Sequence, residues 1–324
     1  MHKPSEKLAP TPPRPLPENI PSVQPGGGWV YRLELAWGRL RRWYLRHFRP
    51  GYVKRMAQLR QGSCQGAPHE VLDPRDLKYI CNRCDCHWPP EHDPFRWRER
   101  LPFARWGLAE LQVFSYPLLA AGAGLLWLGG PWAWGAVVPW GLAGLVISFF
   151  RDPPRRVPAE PGVVVSPADG KVVVLEELEQ HEWIGGPAVK IGIFLSIFNV
   201  HLNRSPEKMR CIALEYSPGE FRNALDPRSA DVNESMTLLL ESPQEPYRRM
   251  VVRQICGAIA RRIVCAVRPG QVLERGEKFG MIKLGSRTEL LLPREPGLQV
   301  LVKLGQRVQA GSTPVARYEE GEDA

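Results

Sequence analysis

Four stretches of different hydropathy follow one another along the chain. Residues 1–28 mix prolines with polar and charged side chains and hold no apolar run, which predicts a disordered Pro-rich tail. From Trp29 to about Arg60, Tyr31, Leu33, Leu35, Trp37, Leu40, Trp43, Tyr44 and Phe48 interleave with Arg32, Arg39, Arg41, Arg42, Arg46 and Arg49. That pattern predicts a basic amphipathic helix with aromatic anchors. It suits an anionic membrane interface, or packing against the rest of the chain. Leu108–Leu128 and Trp132–Phe150 are each about twenty residues long, the length a helix needs to span a bilayer. The second carries no charge and the first only Glu110. Gly129-Gly130-Pro131 links them so tightly that a hairpin of adjacent helices is expected. Arginines flank both outer ends, at 96, 98, 100 and 105 and again at 151, 155 and 156. By the positive-inside rule both ends face the cytoplasm.

Beyond Pro158 the pattern changes to short strands. Val163–Val165, Lys171–Leu175, Val189–Leu195, Cys211–Tyr216, Met236–Leu240, Met250–Arg253, Met281–Leu284, Thr288–Leu292 and Gln299–Lys303 alternate or run apolar at strand length, with Gly, Pro and Asp between them. Cys256 to Val264 reads as a short helix or another strand. The expected fold is a β-rich catalytic domain of the α+β class, barrel- or sandwich-like. A two-helix transmembrane hairpin and a basic N-terminal extension precede it. The boundaries fall at a tail over 1–28, a basic and Cys-containing extension over 29–107, the hairpin over 108–150 and the catalytic domain over 151–324.

Charge narrows the partners. The 324 residues carry a formal net charge of +9. A basic chain favours anionic partners. Zinc-finger histidine pairs, RNA-binding aromatic motifs and a basic recognition helix are all missing, and the charge lies beside apolar segments. Anionic lipid is therefore expected, and nucleic acid is not. Seven cysteines and the lack of a leader-like start point to a reducing compartment and free thiols. Cys81, Cys84, Cys86 and His87 form a C-x-x-C-x-C-H cluster that could supply zinc ligands. With no second spaced pair, reduced cysteines in a loop is the plainer reading.

Three segments carry candidate chemistry. Gly285–Ser286 sits between two strand-like runs. A serine hydroxyl there can fold back on the preceding carbonyl, with no glycine side chain in the way. Ser166-Pro167-Ala168-Asp169-Gly170-Lys171 is a turn that exposes a carboxylate. In Phe194 to Arg204 an apolar strand delivers His201. An acid, a base and a hydroxyl are the parts of a Ser/His/Asp relay. Each also has a plain structural reading: Asp169 as a turn former, His201 as a core histidine, Gly285–Ser286 as a turn.

Read together, these segments resemble a known family. Phe149-Phe150-Arg151-Asp152-Pro153-Pro154-Arg155, Ser166 to Val172, Phe194 to Arg204, Tyr216-Ser217-Pro218-Gly219, Val252-Arg253-Gln254-Ile255, Ala260-Arg261-Arg262-Ile263 and Phe279 to Pro293 occur in one order. From about Phe149 to Tyr318 the chain is similar to the phosphatidylserine decarboxylase proenzymes, in their short bacterial and archaeal branch. Three positions differ from patterns within the family. Arg204 stands where the longer branch has a second histidine. Leu-Gly-Ser is followed by Arg287. Asn233-Glu234-Ser235-Met236 replaces an Asn-Glu-Arg-Asn pattern, leaving Asn233 and Glu234 as candidate substrate contacts.

The resemblance implies a concrete chemistry. His201, oriented by Asp169, takes the Ser286 proton, and the oxygen attacks the Gly285 carbonyl to give an ester. Elimination releases a chain ending at Gly285 and leaves dehydroalanine at position 286, which takes up water and loses ammonia to end as a pyruvoyl group. That self-derived cofactor forms a Schiff base with phosphatidylserine in the membrane. Loss of carbon dioxide, reprotonation by His201 and hydrolysis give phosphatidylethanolamine. The large and small chains stay associated, and the oligomeric state is left open. The expected location is the inner cell membrane, with the catalytic domain on its cytoplasmic face. Two competitors are a decarboxylase-like membrane protein without activity and a lipoyl- or biotinyl-like barrel acting as a binding module. For the latter, Lys283 after Met281-Ile282 lies in a strand-like run rather than at a hairpin tip.

Overall fold

Apolar periodicity near 3.6 residues gives way to alternation near two at about residue 160, and the architecture follows that change. The computed structural model describes residues 10–319, apart from Leu225, Pro227, residues 259–261 and Leu284. The basic amphipathic stretch forms two helices, α1 (Trp29–Phe48) and α2 (Pro50–Leu59). The break falls at Pro50, which has no N–H to continue α1 but suits the first turn of a new helix. A short α3 (Leu77–Ile80) follows in the loop-like region.

The apolar pair forms α4 (Leu108–Leu128) and α5 (Val137–Phe149), joined by a 3-10 segment over Gly130–Ala136. The second helix thus becomes α-helical five residues later than the apolar run begins at Trp132. By length and composition both spans could cross a membrane, with a mean hydropathy of 1.5 in each. Gly122 lets the helices approach closely: a Cβ there would lie 2.1 Å from Trp140 Nε1. That indole N–H donates to the Leu119 carbonyl at 3.2 Å.

The strands are β1 (Val163–Val165), β2 (Gly170–His181), β3 (Gly186–Leu195), β4 (Leu202–Arg204), β5 (Met209–Ser217), β6 (Ser235–Glu241) and β7 (Arg249–Ile255), then β8 (Arg262–Cys265), β9 (Val272–Leu273), β10 (Lys278–Lys283), β11 (Ser286–Pro293), β12 (Leu298–Val300), β13 (Arg307–Val308) and β14 (Pro314–Tyr318). Eight form a half-barrel sheet in the order β13-β2-β3-β11-β7-β6-β5-β9. Two three-stranded sheets, β4-β10-β8 and β1-β14-β12, complete the fold. The fold is β-rich, as expected. The ambiguous stretch after Cys256 contains β8, a strand.

β11 is buried along its whole length, because it pairs with β3 on one side and β7 on the other. Its alternate residues Leu290 and Leu292 join Ile191, Ile193, Leu238 and Val252 in the main core. Leu291 faces the opposite side, under Trp183. A strand buried on both faces reads as a continuous apolar run, which is why Leu290 to Leu292 is legible as a strand without alternation.

Residues 10–28 do not form the expected disordered tail. They run along the catalytic domain. Thr11 donates from its N–H and Oγ1 to Glu241, which also accepts from Arg210 at 2.8 Å. Arg14 N–H donates to the Ile212 carbonyl, and Cys265 N–H to the Val23 carbonyl, each at 2.8 Å. Ile20 enters the main core. Prolines already restrict the unfolded chain, so a few buried anchors suffice to hold an extended strap in place. Residues 1–9 lie outside the described residues.

Candidate active site

The Gly285–Ser286 bond lies between the end of β10 and the start of β11. Gly285 has φ +46, in the left-handed region where a side chain costs about 1–2 kcal/mol. Its carbonyl oxygen packs against Gly257: a Cβ at position 257 would lie 2.1 Å from it. Glycine at 257 therefore lets the Gly285 carbonyl sit where it does. Ser286 pairs in register with Leu195 of β3 and is fully buried, and its Oγ has no hydrogen-bond partner.

His201 lies just before β4, which pairs with β10. Its carbonyl accepts the Ile282 N–H at 3.1 Å, which ties the His201 segment to the strand that leads to Gly285. The ring is fully buried and packs on Phe149 at a centroid distance of 4.2 Å. Nδ1 lies 2.9 Å from the Asn199 carbonyl. A carbonyl can only accept, so Nδ1 carries the proton and Nε2 the free lone pair. Nε2 is buried with no hydrogen-bond partner. Burial is the main reason its pKa falls to about 3, and the Arg151 charge adds to it. The imidazole is therefore neutral at physiological pH, with an available lone pair.

Asp169 does not touch this imidazole. Its carboxylate takes a two-pronged contact from Arg155 Nη2, at 2.9 and 2.8 Å, and the Ala310 N–H at 2.8 Å. The group that orients His201 is the Asn199 carbonyl, two residues away. Sequence reasoning missed it because a backbone acceptor leaves no mark on residue type. Arg204, at the second-histidine position of the longer branch, donates to Asp152 and to the Gly276 carbonyl.

What draws the three segments together is Asn203. Its Nδ2 donates to Thr288 Oγ1 of β11 at 3.0 Å and to the Pro167 carbonyl at 3.4 Å. Its Oδ1 accepts from Gln254 of β7 at 2.8 Å. A fully buried amide satisfied on both sides makes a rigid joint between the Asp169 turn, the His201 segment and β11. Asn203 left no mark of this in the sequence, since it stands between Leu202 and Arg204 in a strand of three residues.

Asn233 and Glu234 bond to the backbone of Cys256, the residue before Gly257. Asn233 spends its amide on backbone, donating to the Arg222 and Cys256 carbonyls at 2.9 and 2.7 Å and accepting the Arg222 N–H at 2.9 Å. Glu234 is buried with Oε1 lacking a hydrogen-bond partner. Desolvation pushes its pKa up, against the nearby Arg262 charge and a hydrogen bond with Tyr216.

The cysteine cluster does not converge on a point. Cys81 Sγ turns to the Ala266 carbonyl, Cys84 and Cys86 lie side by side with their sulfurs 3.6 Å apart, and His87 Nδ1 faces the Asp85 carbonyl. Among the described residues no three His, Cys, Asp or Glu side chains form a metal-holding group. All seven cysteines are free.

Sequence comparison agrees with this geometry. A profile of the family described as phosphatidylserine decarboxylase matches residues 142–316. The phosphatidylserine decarboxylase proenzyme of Rhodopirellula baltica is 49% identical over 248 residues, covering 76% of this chain and 100% of the relative. That of Syntrophus aciditrophicus is 37% identical over 228 residues, 70% of this chain and 100% of the relative. That of Symbiobacterium thermophilum is 46% identical over 186 residues, 57% and 84% respectively. The matched span contains Asp169, His201, Gly257 and the Gly285–Ser286 bond, and on that basis the chain belongs to the phosphatidylserine decarboxylase family.

Proposed function

We propose that this chain cuts itself between Gly285 and Ser286, and then decarboxylates phosphatidylserine to phosphatidylethanolamine at a membrane. One observation carries the reading. Among the described residues Ser286 Oγ and His201 Nε2 are both buried without hydrogen-bond partners, on segments joined by the bond from the Ile282 N–H to the His201 carbonyl, four residues before Ser286. Most buried polar atoms are paired, so an unpaired hydroxyl and an unpaired imidazole nitrogen on joined segments suit groups held for chemistry.

Neutral His201 is suited to take the Ser286 proton at Nε2. The freed oxygen attacks the Gly285 carbonyl carbon, and the C–N bond breaks to leave an ester. Loss of the Ser286 α-proton with expulsion of the Gly285 carboxylate completes the cut. Asp169 acts at one remove in this reading: with Arg155 and Ala310 it fixes the turn that Asn203 joins to β11. The Asn199 carbonyl keeps the imidazole in its basic tautomer.

The orphaned, enclosed Ser286 position fits a pyruvoyl group, which supplies an electron-accepting carbonyl that unmodified side chains lack. Around it, His201 is placed to return a proton to the substrate carbon, and the buried strands keep bulk water away. The chains stay joined after the cut, because β11 remains paired with β3 and β7 and β14 with β1. In this reading α4 and α5 anchor the enzyme, and the arginines flanking them favour a catalytic domain on the cytoplasmic side.

Denaturing electrophoresis tests the first step. The parent should give two pieces, the smaller running from position 286 to Ala324, and Ser286→Ala should stay whole. Mass spectrometry of the small piece should show a blocked, pyruvoyl-ended terminus. A whole parent chain without phosphatidylserine decarboxylation would overturn the reading.

A further inference from the structure

A second ligand-sized feature lies far from Ser286 in sequence, where the extension meets the hairpin. A cavity of about 690 Å³ opens between α1, the segment around Trp97 to Arg105 and the first half of α4. Arg75, Arg98 and Arg105 line it, with Lys78 and Glu34, which pair with each other. Arg75 is only 7% exposed, and its Nη1 is buried with no hydrogen-bond partner. Among the described residues Arg105 alone of the three has an ion-pair partner, Glu99. Arg98 instead stacks over Phe95 and Trp97. Burial, followed by the positive charges of Arg75 and Arg105, pushes the Arg98 pKa down. Like charges gathered in a partly dry place are unfavourable unless an anion joins them, and guanidinium groups match phosphate oxygens well.

The rest of the cavity is of the opposite character. Leu111 and Leu119 of α4 line it, facing Trp37 of α1. From Leu108 to Leu119 the wall extends about 16 Å, at 1.5 Å per helical residue. A ligand with an anionic head and a hydrocarbon tail satisfies both ends, while a free anion satisfies only one. The apolar wall belongs to a helix long enough to enter a bilayer, so lipid has direct access.

We propose that this cavity holds an anionic phospholipid, with its phosphate on Arg75 and Arg98 and one acyl chain along α4. Both arginines lie upstream of the family match, which starts at residue 142. Relatives aligned over 70–76% of the chain reach across Arg98, so the site is not peculiar to this chain, and none of Asp169, His201, Gly285 or Ser286 lines it.

Native mass spectrometry of the full chain carrying Ser286→Ala tests this without lipid turnover, so its outcome does not depend on the decarboxylase reading. Phosphatidylglycerol should form an adduct at about tenfold lower concentration than phosphatidylcholine. Arg75→Gln with Arg98→Gln should abolish that preference, and Arg98→Gln alone, at a partly exposed position that folding tolerates, should reduce it several-fold with an unchanged melting curve. Excess inorganic phosphate should leave the adduct in place. Equal retention of the two lipids, or an unchanged preference in Arg98→Gln, would overturn the proposal. Displacement by phosphate alone would mean a simple anion site and overturn the lipid assignment.

Discussion

Lys283, two residues before Gly285, forms a buried ion pair with Glu110 on α4. Lys283 Nζ also donates to Gln24 Oε1 of the N-terminal strap at 3.0 Å. The strand that delivers the scissile bond is thus tied to both the apolar hairpin and the strap. Removing one partner of a buried pair costs about 3–5 kcal/mol, whereas replacing both with apolar residues is often neutral. Glu110→Ala should therefore lower the melting temperature and the cleaved fraction together. Glu110→Leu combined with Lys283→Met should restore stability. Thermal melts and band densitometry of the three variants check this, and failure of the double variant to recover stability would remove the explanation.

The depressed His201 pKa makes two pH predictions. A histidine near 6.5 when unfolded and about 3 when folded binds more protons in the unfolded state between those values. Its contribution is therefore fully present above pH 6.5 and is lost as pH falls toward 3. His201→Gln should flatten the fall in stability across that window, as measured by denaturant melts. Because the imidazole stays neutral well below pH 6.5, self-cleavage of the precursor should show no inflection near 6.5. A sigmoidal rate profile centred there would mean an imidazole far more solvated than this one.

Gly257 and Gly285 should respond differently to alanine. At 257 the new Cβ would collide with the scissile carbonyl, and backbone has to move to relieve it. Gly257→Ala should slow cleavage at least tenfold. At 285 no atom lies within 4 Å of the new Cβ, so Gly285→Ala carries only the strain of a positive φ, about 1–2 kcal/mol. Pulse-chase processing of the two variants separates collision from strain. Equal slowing would mean that the 257 contact has no special part.

Asn203→Leu should destabilise more than a surface change, since it strands the Thr288 hydroxyl and leaves Gln254 Nε2 only its longer bond to the Val264 carbonyl. Each buried group left unpaired costs about 1–3 kcal/mol. Asp169→Asn offers the companion test. If Asp169 acts through Arg155, Arg155→Leu should slow processing as much as Asp169→Asn does. Slow processing in Asp169→Asn beside normal processing in Arg155→Leu would return Asp169 to direct contact with the reacting groups.

The local chemistry was readable from residue order. Alternation marked most of the large sheet's strands, and two runs of about twenty apolar residues marked the hairpin. The ordered motifs around Asp169, His201 and Ser286 pointed to the family. Short-range patterns are visible because neighbouring residues in a strand or helix share one face, so their periodicity survives in one dimension. Residues 10–28 misled for the opposite reason. Their composition is that of a disordered tail, and their order comes from Ile20, Val23 and backbone bonds to strands about 200 residues away.

By itself the sequence settled the class of fold, the order of its parts and the residues able to do acid, base and hydroxyl chemistry. Only the tertiary structure decided who faces whom: Asp169 on Arg155, His201 on the Asn199 carbonyl, Gly257 under the Gly285 carbonyl and Lys283 on Glu110. These pairings depend on direction and distance between distant segments and on backbone atoms that every residue carries alike. Residue types along a line record neither.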